Sequence, residues 1–339
     1  MRKMRKTLIT LALMLGLAAT SGAQTMLNAA GATFPAPIYQ KWFETYHTAH
    51  SNVQVNYQAL GSGAGIAQLT NGTVDFGASD MPLTDDQISK MKSKVLHFPT
   101  VLGAVVPTYN VPGVSGDLNF SQKALAGIFL GHITKWNDPE IAKANPGVKL
   151  PADDIVVVHR SDGSGTSFIW TDFLSKVSPE WKSSVGAASS VNWPVGLGGK
   201  GSDGVTGLIK QTPDSIGYVE LIYALQNKVP YGAVQNAAGK FLKADLAGVS
   251  AAAAGAAKDM PADFRVSITD APGAGAYPIS SFTWLLIPAQ WQDASKRDAV
   301  KAFLTWMLAD GQGFNESLSY AKLPAAVVTK EKQQIAQIQ

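Results

Sequence analysis

Three short loops rich in glycine and hydroxyl side chains constrain this chain more than any other feature: Ala29-Ala30-Gly31-Ala32-Thr33-Phe34-Pro35, Leu60-Gly61-Ser62-Gly63-Ala64-Gly65 and Arg160-Ser161-Asp162-Gly163-Ser164-Gly165-Thr166. Each reads as the end of a strand feeding a helix. A helix N-terminus presents unpaired N–H groups and the positive end of the helix dipole, and glycine lets the backbone approach a ligand closely. Taken singly, such a loop is usually only a helix cap. Three of them together with Arg160 predict a site for a small oxyanion.

A chain of 339 residues exceeds what one core usually organises, so two lobes are expected. Hydrophobic residues make up 46% and charged ones 16%, which excludes a disordered chain and fits an α/β protein. The first residues stand apart: Arg2, Lys3, Arg5 and Lys6 precede an apolar run from Leu8 to Ala19 that ends in Ser21-Gly22-Ala23. This pattern predicts a signal peptide over 1–23, cleaved after Ala23, and hence a periplasmic product. The sequence has no cysteine, so disulfides and a lipoprotein anchor are excluded. Removing four basic residues from a net charge of +3 leaves −1. A basic nucleic-acid surface is not expected, and an anion must be held by local hydrogen bonds rather than by the field of the whole protein.

Periodicity places a helix over Pro35–Ala49, a strand at Val53–Tyr57, a second helix after Gly61–Gly65 and a short buried strand at Val74–Ala78 that ends in Ser79-Asp80. Phe98–Val106 reads as an apolar segment crossing between lobes. Ile155–Val158 is a buried strand, followed by a helix over Phe168–Leu174. Asn192–Gly207 reads as one long loop because of its glycines and Pro194, and Ile216–Val219 returns to strand. Ala247–Ala257 predicts a peripheral helix and Phe282–Ile287 a second apolar strand. The helix marked by Val300, Phe303, Leu304, Met307 and Leu308 is expected to pack back on the first lobe.

Gly-Ala-Thr-Phe-Pro-Ala-Pro at 31–37, Val-Asp-Phe-Gly-Ala-Ser-Asp at 74–80, Arg-Ser-Asp-Gly-Ser-Gly-Thr-Ser-Phe at 160–168 and Trp-Pro-Val-Gly-Leu-Gly-Gly-Lys-Gly at 193–201 resemble the periplasmic phosphate-binding proteins of ABC phosphate importers. Ile-Gly-Tyr-Val-Glu at 216–220 and Tyr-Ala-Lys-Leu-Pro at 320–324 extend the resemblance. It implies a two-lobed periplasmic binding protein fold with hinge crossovers and a ligand cleft, lobe 1 being 24–106 with 279–339 and lobe 2 being 107–278. It also implies phosphate contacts from Thr33, Phe34, Ser62, Asp80, Arg160, Ser164, Gly165 and Thr166, with Asp162 behind Arg160. The implied partners are phosphate and, transiently, the permease subunits of an ABC importer. No enzyme activity, cofactor or metal is implied, and a monomer is expected.

The residue types suit that ligand. A desolvated phosphate needs many donors and a charge-assisted bond. A carboxylate such as Asp80 accepts the proton that phosphate keeps and sulfate lacks. The competing class is a secreted phosphate-ester hydrolase: His159, Asp162 and Ser164 carry the residue types of a triad, but they crowd one turn and lack the G-x-S-x-G pattern. Gly196–Gly201 satisfies G-x-G-x-x-G without an evident preceding strand, which disfavours a nucleotide site. His47 and His50 lack a third metal ligand and read as surface residues.

Overall fold

The computed structural model describes residues 24–339, so the predicted signal peptide lies outside the described residues. Among the described residues eleven strands are present: β1 (Thr25–Gly31), β2 (Val53–Ala59), β3 (Phe76–Ser79), β4 (Val95–Asn110), β5 (Asn119–Phe120), β6 (Val156–Arg160), β7 (Leu197–Gly199), β8 (Ser215–Glu220), β9 (Ala233–Gln235), β10 (Phe241–Leu242) and β11 (Ser280–Pro288). Eight of them form one sheet in the order β2-β1-β3-β11-β4-β8-β6-β7, and the three-stranded sheet β10-β9-β5 stands apart.

The long strand β4 joins two α/β lobes. Its residues Val95 to Ala104 pair antiparallel with β11, and Val105 to Asn110 pair antiparallel with β8. On one side β1 runs parallel to β2 and β3, and on the other β6 runs parallel to β7 and β8. Parallel neighbours need crossover helices, and these supply the strand-loop-helix junctions anticipated from the sequence. In open α/β sheets, such junctions at the carboxyl ends of strands form ligand crevices.

Each lobe has an aromatic centre. In the β1 lobe, Tyr39, Trp42, Phe43 and Tyr46 on the helix Ala36–Ala49 form a buried face at helical spacing. Phe303 of the helix Ala294–Met307 packs on Phe43 and Tyr46, so the late helix does return to the first lobe. In the β6 lobe, Trp170 stacks on Tyr218 with ring centroids 5.1 Å apart, next to Phe129 and Trp193. The alanine-rich helix Leu246–Lys258 lies on β4 and β11 and is anchored by the Tyr277 N–H donating to Gly248 O at 3.0 Å.

One expectation from sequence is corrected. Asn192–Gly207 is not a single loop: it contains β7 and the start of the helix Gly201–Gln211. The strand is three residues long and mostly glycine, so it carries no alternation of apolar side chains for a periodicity argument to detect. The G-x-G-x-x-G run Gly196–Gly201 thus contains this strand and ends at the first residue of the helix, rather than following a strand.

Backbone proximity also explains Gly65. A Cβ there would lie 2.5 Å from Gly31 Cα and 2.6 Å from Ala30 O, so only glycine lets the helix Ser62–Asn71 seat its first turn on β1. We expect Gly65→Ala to destabilise the fold by about 1–3 kcal/mol or more. Gly207 lies within a helix with nothing within 4 Å of a Cβ, and Gly207→Ala should stabilise by about 0.5–1 kcal/mol. Denaturant midpoints moving in the same direction for both variants would contradict this account.

Candidate functional site

Four helix N-termini converge where the lobes meet: Ala36–Ala49, Ser62–Asn71, Gly165–Val177 and Gly201–Gln211. The first two follow β1 and β2, the third follows β6 and the fourth follows β7. Each brings backbone N–H groups and a positive dipole end to the same cleft. The sequence identified three of these junctions and missed the fourth.

Ser62 and Gly165 form the contact between the lobes. Ser62 is fully buried, and its Oγ accepts from the Asp80 N–H at 3.2 Å and the Gly165 N–H at 3.1 Å. Both acceptor positions of the hydroxyl are thus used, which leaves its hydrogen to donate. Nearby, Gly63 N–H donates to Gly163 O at 2.8 Å. A Cβ on Gly165 would lie 2.6 Å from Asp80 Cβ, so glycine permits the helix end to reach the carboxylate-bearing strand end.

Arg160 is held as a fork. Its Nε and Nη2 donate to Asp162 Oδ1 and Oδ2 at 2.7 and 2.6 Å, and its side chain is 1% exposed. Nη1 lies 3.5 Å from Thr166 Oγ1. The Arg160 backbone N–H donates to Tyr218 Oη at 3.1 Å, and Tyr218 also bonds Ser167 Oγ at 2.6 Å. Asp162 in addition accepts from the Gly201 N–H at 3.0 Å. Burial alone raises the Asp162 pKa, but the Arg160 guanidinium and the Gly201 N–H outweigh it and hold the carboxyl below its ordinary value. Ser164 caps its helix by accepting from the Ser167 N–H at 3.1 Å.

Asp80 is 1% exposed at the end of β3. Burial pushes its pKa up from 3.8 to about 7, against the lowering effects of the Thr283 hydroxyl, the Arg160 charge and the Ser62 hydroxyl. Thr283 Oγ1 donates to Asp80 Oδ1 at 2.8 Å. This carboxyl can therefore exist in either protonation state near neutral pH.

Thr33 is 5% exposed, with its Oγ1 2.9 Å from Ser202 Oγ, and Phe34 is fully buried beside it. The structure thus brings Thr33, Phe34, Ser62 and Asp80 from the β1 side to face Arg160, Asp162, Ser164, Gly165 and Thr166 from the β6 side. Two neighbours escaped the sequence reading. Thr283 is a polar residue inside the buried run Phe282-Thr283-Trp284, and that placement was the available signal. Ser202 follows a glycine run into a helix, the same pattern as the other three loops.

The triad residue types point to different partners. His159 stacks on Trp193 at 4.8 Å and 11°, with its Nδ1 3.0 Å from Arg160 O. Asp162 is committed to Arg160, and Ser164 to its cap. Among the described residues no group of three or more His, Cys, Asp or Glu is placed to hold a metal ion, and no helix is long and apolar enough to cross a membrane.

Comparison with known proteins accords with this geometry. Residues 18–311 match the family model described as a PBP superfamily domain. The phosphate-binding protein PstS of Xylella fastidiosa (strain Temecula1) is 46% identical over 303 residues, covering 89% of this chain and 82% of its own length. PstS of Methanocaldococcus jannaschii is 41% identical, covering 85% and 79%. Among solved structures, a high-affinity periplasmic phosphate-binding protein (PfluDING) bound with phosphate has a TM-score of 0.72 at 22% identity, covering 91% of this chain and 93% of its own. A phosphate-binding protein from Stenotrophomonas maltophilia has a TM-score of 0.69 at 18% identity with the same coverage. These structures share the two-lobed fold, and the sequence identities place this chain in the PstS family of phosphate-binding proteins.

Proposed function

We propose that this protein binds inorganic phosphate in the interlobe cleft and supplies it to an ABC importer. The observation that carries this reading is Asp80 facing Arg160 across a cleft ringed by helix N-termini. An ionised carboxylate has a use beside an anion only if that anion can donate a hydrogen bond to it. Phosphate near neutral pH retains a proton and sulfate does not.

In this reading Thr33, the Phe34 N–H, Ser62, Ser164 and Thr166 donate to phosphate oxygens, the Gly165 N–H exchanges its bond to Ser62 Oγ for one to the ligand, Arg160 supplies a charge-assisted bond, and Asp80 accepts the ligand's hydrogen. Asp162 orients the guanidinium and partly offsets its charge. The proposed lobes are 24–106 with 279–339, and 107–278. Residues 1–23 would direct export, with cleavage after Ala23 releasing a monomer outside the cytoplasmic membrane that docks transiently on permease subunits. Binding rather than hydrolysis is supported by His159, Asp162 and Ser164 each being engaged with a partner outside the three, and by relatives named as binding proteins.

Arg160→Ala should weaken phosphate binding by about 2–5 kcal/mol, because a buried anion loses its charged partner. Calorimetric titration at fixed salt measures this, and an unchanged affinity would place the site elsewhere. Sulfate exclusion should depend on pH. Above about 7 the Asp80 carboxylate repels an anion with no hydrogen to give, and as pH falls through that value the protonated group becomes a donor. Competition by sulfate should therefore rise between pH 8 and 5. Asp80→Asn should admit sulfate with little pH dependence, and a parent-like phosphate-to-sulfate ratio in that variant would remove Asp80 from the selectivity argument.

The same shift sets a stability expectation without ligand. A carboxyl whose folded pKa is raised contributes stability that is fully present below its unfolded value of 3.8 and is lost as pH rises through about 7. Unfolding by denaturant across that window should show a smaller loss of stability in Asp80→Asn than in the parent. Equal slopes would mean that Asp80 titrates normally.

A further inference from the structure

Three consecutive carbonyls in the first loop each accept a hydrogen bond from a tyrosine hydroxyl. Tyr57 Oη donates to Ala32 O, Tyr223 Oη to Thr33 O and Tyr320 Oη to Phe34 O, all at 2.6 Å. The three tyrosines lie 166 and 97 positions apart along the chain and share no sequence motif. Tyr320 is fully buried, Tyr223 is 6% exposed and Tyr57 is partly buried. Burial raises all three hydroxyl pKa values, so each remains a donor at any physiological pH.

Their origins differ. Tyr57 lies on β2, paired to β1. Tyr320 adjoins Ala321, which bridges to Leu102 in the β11-paired part of β4. Both therefore belong to the same lobe as the loop they hold. Tyr223 lies in the helix Leu221–Asn227 directly after β8, on the opposite lobe. Its bond crosses the cleft beside the contact of Ser202 with Thr33.

The carbonyl that Tyr223 holds belongs to the same planar peptide as the Phe34 N–H. The two groups of a trans peptide point in opposite directions, so fixing one aims the other. Donation to the carbonyl also polarises the amide and strengthens its N–H as a donor. We infer that Tyr223 is a positioning residue that couples lobe closure to anion capture, by orienting the Thr33–Phe34 peptide from the opposite lobe only when the cleft is shut. This rests on the phosphate-binding reading above. Tyr57 and Tyr320 hold the neighbouring carbonyls in open and closed forms alike, and Tyr223 adds the bond that only closure makes.

The test compares the parent with Tyr223→Phe and Tyr320→Phe, each of which keeps the ring and its packing. Phosphate association and dissociation are followed by stopped-flow tryptophan fluorescence, and small-angle scattering is recorded with and without phosphate. Loss of one hydrogen bond made only in the closed form should raise the dissociation rate of Tyr223→Phe roughly 3- to 10-fold, with association little changed. The unliganded Tyr223→Phe protein should scatter as a more open particle than the parent, and unliganded Tyr320→Phe should not. A parent that binds phosphate together with a Tyr223→Phe variant of parental dissociation rate and parental unliganded scattering would overturn the inference. So would an affinity loss in Tyr223→Phe expressed in association alone. A parent that does not bind phosphate would instead overturn the functional reading beneath it.

Discussion

The bidentate bond between Arg160 and Asp162 is the interaction on which the rest of the cleft depends. It is made between the last residue of β6 and a residue two positions on, so it costs little chain entropy to form and fixes the guanidinium plane. Asp162 then gathers the Gly201 N–H, which ties the fourth helix N-terminus to the same pair. Through Ser202 that helix reaches Thr33 on the other lobe. A buried ion pair contributes little net stability against well-packed apolar residues, but breaking one partner is costly because the other charge is left stranded. Its value here lies in direction, since two of the three guanidinium nitrogens are already committed and only Nη1 faces Thr166.

Such an arrangement lets a chain with almost no net charge beyond residue 23 bind an anion. A cluster of lysines and arginines would attract any anion and would make binding sensitive to salt. Backbone N–H groups and hydroxyls at helix ends provide partial charges with fixed directions instead, and these discriminate by geometry. Asp162 partly offsets the Arg160 charge, so in the proposed binding mode the Asp80 carboxylate is tolerated because the ligand brings its own hydrogen to it.

Much of this was legible in the sequence because local chemistry dictates it. The residues that cap a helix or turn a strand into it lie within a few positions of one another, which is why the loops at 29–35, 60–65 and 160–166 could be read. Thr283 and Ser202 serve the same site but arrive through β11 and β7, and nothing in their own neighbourhoods specifies that Asp80 or Thr33 will be opposite. The three tyrosines are a stronger case: an isolated tyrosine in an apolar segment is ordinarily a core residue, and only the tertiary arrangement aligns their hydroxyls on successive carbonyls. The strand β7 was missed for a different reason, since a strand dominated by glycine has no side-chain pattern to read.

Closure and protonation are linked by the same geometry. Asp80 owes its raised pKa first to burial, and part of that burial comes from the opposite lobe, whose Gly165 backbone comes close enough that a Cβ would meet Asp80 Cα at 2.8 Å. Separating the lobes rehydrates the carboxyl and returns its pKa toward the ordinary carboxylate range. At a pH between those two values, closing the cleft without a ligand therefore requires proton uptake, and the free energy of that uptake opposes empty closure more strongly as pH rises. In the proposed binding mode phosphate removes the requirement, because its own hydrogen would fill the space between ligand oxygen and carboxylate. The carboxyl proposed to reject a fully deprotonated anion would thus also disfavour closing on nothing, and both effects would follow from one desolvated group that needs a hydrogen from somewhere.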